Sequence, residues 1–196
     1  MQESGGLDDN ELVEQCRAER DDPRPFETLV RRHSGYVLAN CRTLTRSASD
    51  AEDLAQEVFT KVYFTLPRLE LRAPFRAWLT TVKVNHCLNH LRKQRGKAWV
   101  DLDSAAEGNE AIVATPATAH RAVETAEDRS RIVATLDQMS DTLRVPLVLC
   151  DADGLSYEEI AEQLGIGLSA VKMRIKRGRE EFRRRYSALD EEATRS

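Results

Sequence analysis

The densest chemistry in the sequence is cationic. Between positions 172 and 185 stand Lys172, Arg174, Lys176, Arg177, Arg179, Arg183, Arg184 and Arg185 against only Glu180 and Glu181, a local balance of plus six in a chain whose overall charge is minus four. Val171 and Ile175 lie four apart with Phe182 further along, so the segment reads as a helix with these three inward and Lys172, Met173, Lys176, Arg177 and Arg179 outward. Upstream, Ser156 and Glu159 make a capping-box pattern, and Ile160, Ala161 and Leu164 supply an apolar stripe. Gly165 then suits the left-handed residue just past a helix end, and Gly167 or Ser169 can cap the helix that follows. A short helix, a glycine turn and a basic helix make a helix-turn-helix. A helix with its side chains is about 10–12 Å across, which fits the DNA major groove, and its N-terminal outward residues are the ones that reach base edges. A charge run alone is ordinarily a solvated helix face. Here it follows a glycine turn, the preceding helix carries Glu158, Glu159 and Glu162 instead, and the apolar spacing fits a compact helical unit, so the reading is DNA binding. Neutralising about four to six phosphates would make affinity fall steeply with salt, while the few side chains at the helix start specify sequence.

A second grouping suggests metal chemistry. NHCLNH places His86 and His90 four apart on a helix, with Cys87 between them. A catalytic metal site would want a further ligand and an adjacent carboxylate base, and no HExxH or CxxC pattern supplies them. His33 and His120 read as structural or exposed. There is no phosphate-binding GxxxxGK[ST] loop and no nucleophile elbow, so the chain is expected to be no enzyme and to hold no metal or cofactor.

The elements that must position the basic helix are helical. Of the 196 residues 41% are apolar, only 6% aromatic and 32% charged, a balance of helices with wide solvated faces. Phe26, Leu29, Val30, His33, Val37, Cys41 and Leu44 recur at spacings of three and four, giving a helix over residues 26–46. Ser49 with Glu52 is a capping-box pattern opening a second helix, with Ala51, Leu54, Ala55, Val58 and Val62 on one face, and Pro67 ends it. Pro74 opens a third, Phe75 to Arg95. Periodicity is then lost, and WVDLDSAAEGNEAIVATPATAH carries four acids and no Lys or Arg, the composition of an extended acidic linker. Helical patterns resume at ETAEDRSRIVATLDQM and SDTLRVPLVLC, where Pro146 predicts a helix that is kinked or starts late.

The expected fold is therefore all-α: two small helical domains, residues 26–96 and 125–187, joined by a flexible acidic linker at 97–124. An acidic extension, residues 1–25, and the tail at 188–196 are expected to be mobile. Residues 1–28 carry nine acids against three arginines, so the charge asymmetry points to a local anionic partner for the other end. No segment approaches the roughly 20 apolar residues of a membrane helix and no signal peptide is evident, so a cytosolic protein with no membrane insertion of its own is expected. The four cysteines are far apart and read as buried free thiols.

The segment GLSYEEIAEQLGIGLSAVKMRIKRGREEFR resembles the promoter-reading helix-turn-helix of bacterial sigma factors, specifically the extracytoplasmic-function (ECF) group of the sigma-70 family. FETLVRRHSGYVLANC resembles the family's first conserved helix, DAEDLAQEVFTKVY its most characteristic segment, and FRAWLTTVKVNHCLNHLRKQR its minus-ten reading helix. The resemblance covers residues 26–96 and 125–186, in the family's order. It implies region 2 for the first domain and region 4 for the second.

By that resemblance the partners are core RNA polymerase, promoter DNA and an anti-sigma factor that holds the chain inactive until a stress or envelope signal, in the cytoplasm or at the inner membrane. Asp50, Asp53, Gln56 and Glu57 would meet the clamp of the polymerase's largest subunit, and region 4 the flap of the second-largest. Arg72, Phe75, Arg76, Asn85, Asn89, Arg92 and Lys93 would serve the minus-ten element, with Trp78 assigned to the core and Asn85 and Asn89 the better strand contacts. Ser169, Lys172, Met173, Arg174, Lys176, Arg177 and Arg179 would serve the minus-thirty-five element. Met173 stands where the family commonly has a small hydroxyl residue, and Gly178 where alanine is common, at up to about 1 kcal/mol of helix propensity. A dimeric helix-turn-helix repressor would explain the basic helix but leave the first domain without a purpose.

Overall fold

The computed structural model describes residues 6–71, 73–95 and 126–194. Among them are eight α-helices, one short 3-10 turn and no strand. The chain divides into two compact units, the first extending to His90 and the second beginning at Leu91. The linker at 97–124 and Arg72 lie outside the described residues, and so does His120.

The acidic extension departs from expectation. Asp9–Ala18 is a helix, α1, opened by a capping box in which the Asp8 side chain accepts from the Glu11 amide and the Glu11 carboxylate accepts from the Asp8 amide. Its Leu12, Val13 and Cys16 are buried. The extension's acidity masked this short stripe, which the sequence reading passed over.

Helix α2, Arg24–Thr45, follows with Pro25 in its first turn, where the missing N–H is harmless. Helix α3, Ala48–Thr65, starts two residues before the expected cap: Ser47, not Ser49, takes the N-cap position and accepts from the Asp50 amide at 3.2 Å. The 3-10 turn Leu66–Arg68 and a short connection lead to α4, Phe75–Arg95. Leu29, Val37, Cys41 and Leu44 of α2, Ala51, Leu54, Val58 and Val62 of α3, and Phe75, Leu79, Val84 and Leu88 of α4 are all buried, so three amphipathic stripes close on one core with α1 packed on α2.

The second unit contains α5 (Ala126–Asp137), α6 (Asp141–Asp151), α7 (Tyr157–Leu164) and α8 (Leu168–Thr194). Met139, Val145, Leu149, Ile160, Leu164, Val171 and Ile175 form its core. Pro146 sits inside α6, which does not start late: Ser140 precedes the first turn and the Arg144 amide already bonds its carbonyl at 2.8 Å. The tail expected to be mobile from 188 continues α8 as far as Thr194.

Candidate nucleic-acid and protein interfaces

The helix-turn-helix forms as its capping chemistry dictates. Ser156 and Glu159 make both capping-box bonds, and Gly165 closes α7 in the left-handed region at φ 69°, a conformation only glycine adopts readily. Helix α8 then starts at Leu168, with the Val171 amide bonding the Gly167 carbonyl at 3.1 Å.

At about 100° per residue, Ser169, Lys172, Met173, Lys176 and Arg177 share the outer face of α8, opposite buried Val171, Ile175 and Gly178. Ser169, Lys176 and Arg177 are exposed and Lys172 and Met173 half-buried. Two expected contacts are not presented by this face. Arg174 is only 5% exposed and turns toward the core side. Arg179 is anchored across to α6, its Nε and Nη2 donating to the two Asp151 carboxylate oxygens at 3.0 and 2.6 Å. The five remaining side chains make a face of two lysines, one arginine, a hydroxyl and a thioether. That set can meet phosphates, hydrogen-bond a base edge and contact a thymine methyl.

On α4 the expectation for two aromatics reverses. Phe75, a minus-ten candidate, is 1% exposed, its ring edge-on to His33 at 5.4 Å, whereas Trp78, assigned to the core, is half-buried and lies on the same side as Asn85 and Asn89. Thr81, Asn85, Asn89, Arg92 and Trp78 fall within one arc of about 80° on the helical wheel. Asn85 and Asn89 are exposed, and Lys93, also exposed, sits beside the arc. Arg76 is elsewhere: its guanidinium carbon stands 4.6 Å over the Tyr36 ring, the same ring that buried Lys83 approaches at 4.7 Å. Pattern reading missed Lys83 and Trp78, because an α4 stripe broken by charges and amides hides which side is inward.

Helix α3 carries two surfaces. Asp50, Asp53 and Glu57 lie on one ridge, and two histidines of α4 face it: His86 Nδ1 is 3.4 Å from Glu57 Oε2 and His90 Nε2 is 3.3 Å from Asp50 Oδ2. Those histidines thus meet carboxylates, and among the described residues no group of three or more His, Cys, Asp or Glu could hold a metal. Gln56 lies about 60° further round the helix from Asp53. There it lines an open apolar groove between α2 and α3 with Phe26, Leu38, Phe59 and Tyr63. Leu38, Tyr63 and Phe64 are 40%, 51% and 73% exposed, a concentration of apolar surface on this side of the unit. The groove was legible only as the surplus of aromatics in VFTKVYF beyond the buried Val58 and Val62.

Comparison with known proteins accounts for both units. Residues 29–97 match the family model for sigma-70 region 2, and residues 129–182 that for sigma-70 region 4. The RNA polymerase sigma-H factor of Pseudomonas aeruginosa is 33% identical over 94% of this chain and 97% of its own length. The chain belongs to the ECF group of the sigma-70 family. The ECF RNA polymerase sigma-E factor of Escherichia coli strain K12 is 32% identical over 89% of this chain and 92% of that protein. Among solved structures, CnrH in complex with the cytosolic domain of CnrY matches with a TM-score of 0.54 at 26% identity, covering 93% of this chain and 97% of that one. The sigma factor RpoE of Bartonella quintana, in complex with the anti-sigma factor NepR, has the same fold, with a TM-score of 0.53 at 23% identity.

As a sigma factor, the protein has its four described surfaces arranged by unit: an acidic ridge, an apolar groove and an amide-bearing α4 face in the first, a cationic α8 face in the second. The Cys16, Cys41, Cys87 and Cys150 side chains are buried, and Cys87 Sγ lies 3.4 Å from Cys41 Sγ in the first core. None of the described helices is long and apolar enough to cross a membrane.

Proposed function

We propose that the sigma factor divides promoter recognition between its units, with domain limits near 26–96 and 125–187. The outer face of α8 (Ser169, Lys172, Met173, Lys176 and Arg177) enters the major groove of the minus-thirty-five element. The α4 arc (Asn85, Asn89 and Arg92, with Lys93 beside it) takes the exposed strand of the minus-ten element, and Trp78 offers a stacking surface. Flipping bases out of a duplex costs a few kcal/mol each, and amide and aromatic contacts to the displaced strand offset that. Arg72, just ahead of α4, belongs to the same proposed minus-ten set on sequence grounds, whereas Arg76, over the Tyr36 ring on the opposite side of the helix, is left out of it.

The acidic ridge of Asp50, Asp53 and Glu57, with Gln56 beside it, suits a basic helical partner, which the family supplies in the clamp of the polymerase's largest subunit. Region 4 meets the flap of the second-largest subunit. The neighbouring apolar groove makes this side of the first unit the protein-docking side, and an anti-sigma factor seated there would exclude core polymerase. That is the proposed means of silencing, in the cytoplasm or at an inner-membrane anchor of the partner, until a stress or envelope signal releases the chain. Splitting weak contacts over two tethered modules lets them combine through effective concentration. The chemistry of RNA synthesis belongs to the polymerase.

The observation that carries this reading is the grouping of the five α8 side chains on one outer face directly after the Gly165 turn. The test is reconstitution. Purified chain should co-elute with core RNA polymerase and direct run-off transcription from the promoter mapped upstream of transcripts it induces on overexpression. A chain that binds that duplex tightly alone and supports no initiation would be a repressor.

A further inference from the structure

At the start of α4 the Pro74 carbonyl accepts from the Ala77 amide at 2.9 Å. The Pro74 ring itself carries no oxygen that could cap the amide of the residue after it. The amide of Phe75, the first helical residue, instead donates to Asn10 Oδ1 of α1 at 2.9 Å, across 65 positions of sequence.

Helix α1 is itself held fast. The Asp9 carboxylate accepts from Arg32 Nη1 at 3.0 Å and lies 2.7 Å from His33 Nε2, while Leu12 and Val13 are fully buried. His33 in turn meets the Phe75 ring edge-on, and Phe75 lies 5.9 Å from Trp78. Helix α1 also packs on the 3-10 turn Leu66–Arg68. It therefore touches both ends of the connection that precedes α4: the turn where it leaves α3 and the amide where α4 begins.

We propose that α1 is a brace for promoter opening and that Asn10 is a positioning residue, fixing the first turn of α4 and so the side of the helix that carries Trp78, Asn85 and Asn89. The inference rests on the reading of α4 as the minus-ten helix. Asn10 touches no DNA in this account. It acts through the Phe75 amide, and the aromatic contacts from His33 to Trp78 share the load. A single hydrogen bond lost from such a position shifts an equilibrium by about three- to tenfold.

The test measures strand opening by holoenzyme made from the full chain and core polymerase, followed by permanganate reactivity of thymines in the mapped promoter, on a duplex and on a template with a pre-opened minus-ten segment. Asn10→Ala is expected to slow opening of the duplex about three- to tenfold and to match the wild type on the pre-opened template. Asn10→Asp keeps an oxygen at the same place and adds a charge favoured at a helix N-terminus, so it is expected to open the duplex at least as fast as wild type. It carries the test alone should the alanine variant fail to fold. Equal opening by wild type and Asn10→Ala, an equal deficit on both templates, or an Asn10→Asp variant as slow as alanine would each overturn the brace. If wild-type holoenzyme opens neither the duplex nor the pre-opened template productively, the minus-ten reading falls and takes the brace with it.

Discussion

Gly178 of α8 lies so close to α6 that a Cβ added to it would stand 3.0 Å from the Leu143 carbonyl oxygen and 3.4 Å from Leu147 Cβ. From sequence, this glycine is only a loss of helix propensity. In the fold it is what lets two helices approach. Gly178→Ala should gain up to about 1 kcal/mol of propensity and lose about 1–3 kcal/mol to overpacking, because a backbone carbonyl cannot rotate away as a side chain does. The expected net result is a lower melting temperature. An unchanged or raised one would mean that the helices separate at no cost.

Arg179 and its neighbours should separate into two classes. With its guanidinium committed to the Asp151 carboxylate and to Cys150 Sγ, Arg179→Ala is expected to cost at most about 1 kcal/mol of stability, as an ion pair near the surface does, and to leave the salt dependence of promoter binding nearly intact. Lys172→Ala, Lys176→Ala and Arg177→Ala should each leave the melting temperature in place and reduce the slope of log affinity against log salt by about one. Titration of holoenzyme–promoter affinity across salt checks both.

Asp9 makes the docking of α1 acid-sensitive. Burial pushes its carboxyl up, but the hydrogen bonds and charge of Arg32 and His33 outweigh this and hold it below the ordinary 3.8. A lowered folded pKa contributes stability that is complete above the unfolded value and lost as pH falls through the folded one. Amide exchange in α1 should therefore accelerate below about pH 4, and Asp9→Asn should flatten that limb while weakening docking at neutral pH. An acid limb identical in Asp9→Asn would assign the effect to another group.

The thiols should be inert in the folded state. Burial pushes Cys16 up to about 11, and burial together with the neighbouring Asp151 does the same for Cys150, so neither forms appreciable thiolate at neutral pH. Iodoacetamide at pH 7.5, a working value chosen well below those pKa values, should label all four cysteines in urea and almost none in the native protein, as read by intact mass. Rapid native labelling at Cys16 would mean that α1 undocks readily.

Much of the architecture was legible because the signals were local. The Ser156–Glu159 box, the Gly165 turn and the Val171–Ile175 pair each act within one or two helical turns, and the helix-turn-helix follows from them. What sequence could not assign depends on tertiary contacts. Arg174 and Lys172 have the same charge and stand two residues apart, and only the packing of α8 decides that one is buried and the other presented. Phe75 and Trp78 are three apart on α4, and their exchange of roles is set by His33 on α2 and by the α1 contact. Helix α1 itself is short, with three buried side chains amid acids, too brief a stripe for periodicity to register.

The most direct measurement of the central claim is run-off transcription from the mapped promoter by core polymerase supplied with either the wild-type chain or a Lys172→Glu, Lys176→Glu, Arg177→Glu variant of matched melting temperature. The α8 face predicts initiation with the first and near-background product with the second. Equal transcript from both would show that this helix does not seat in the promoter.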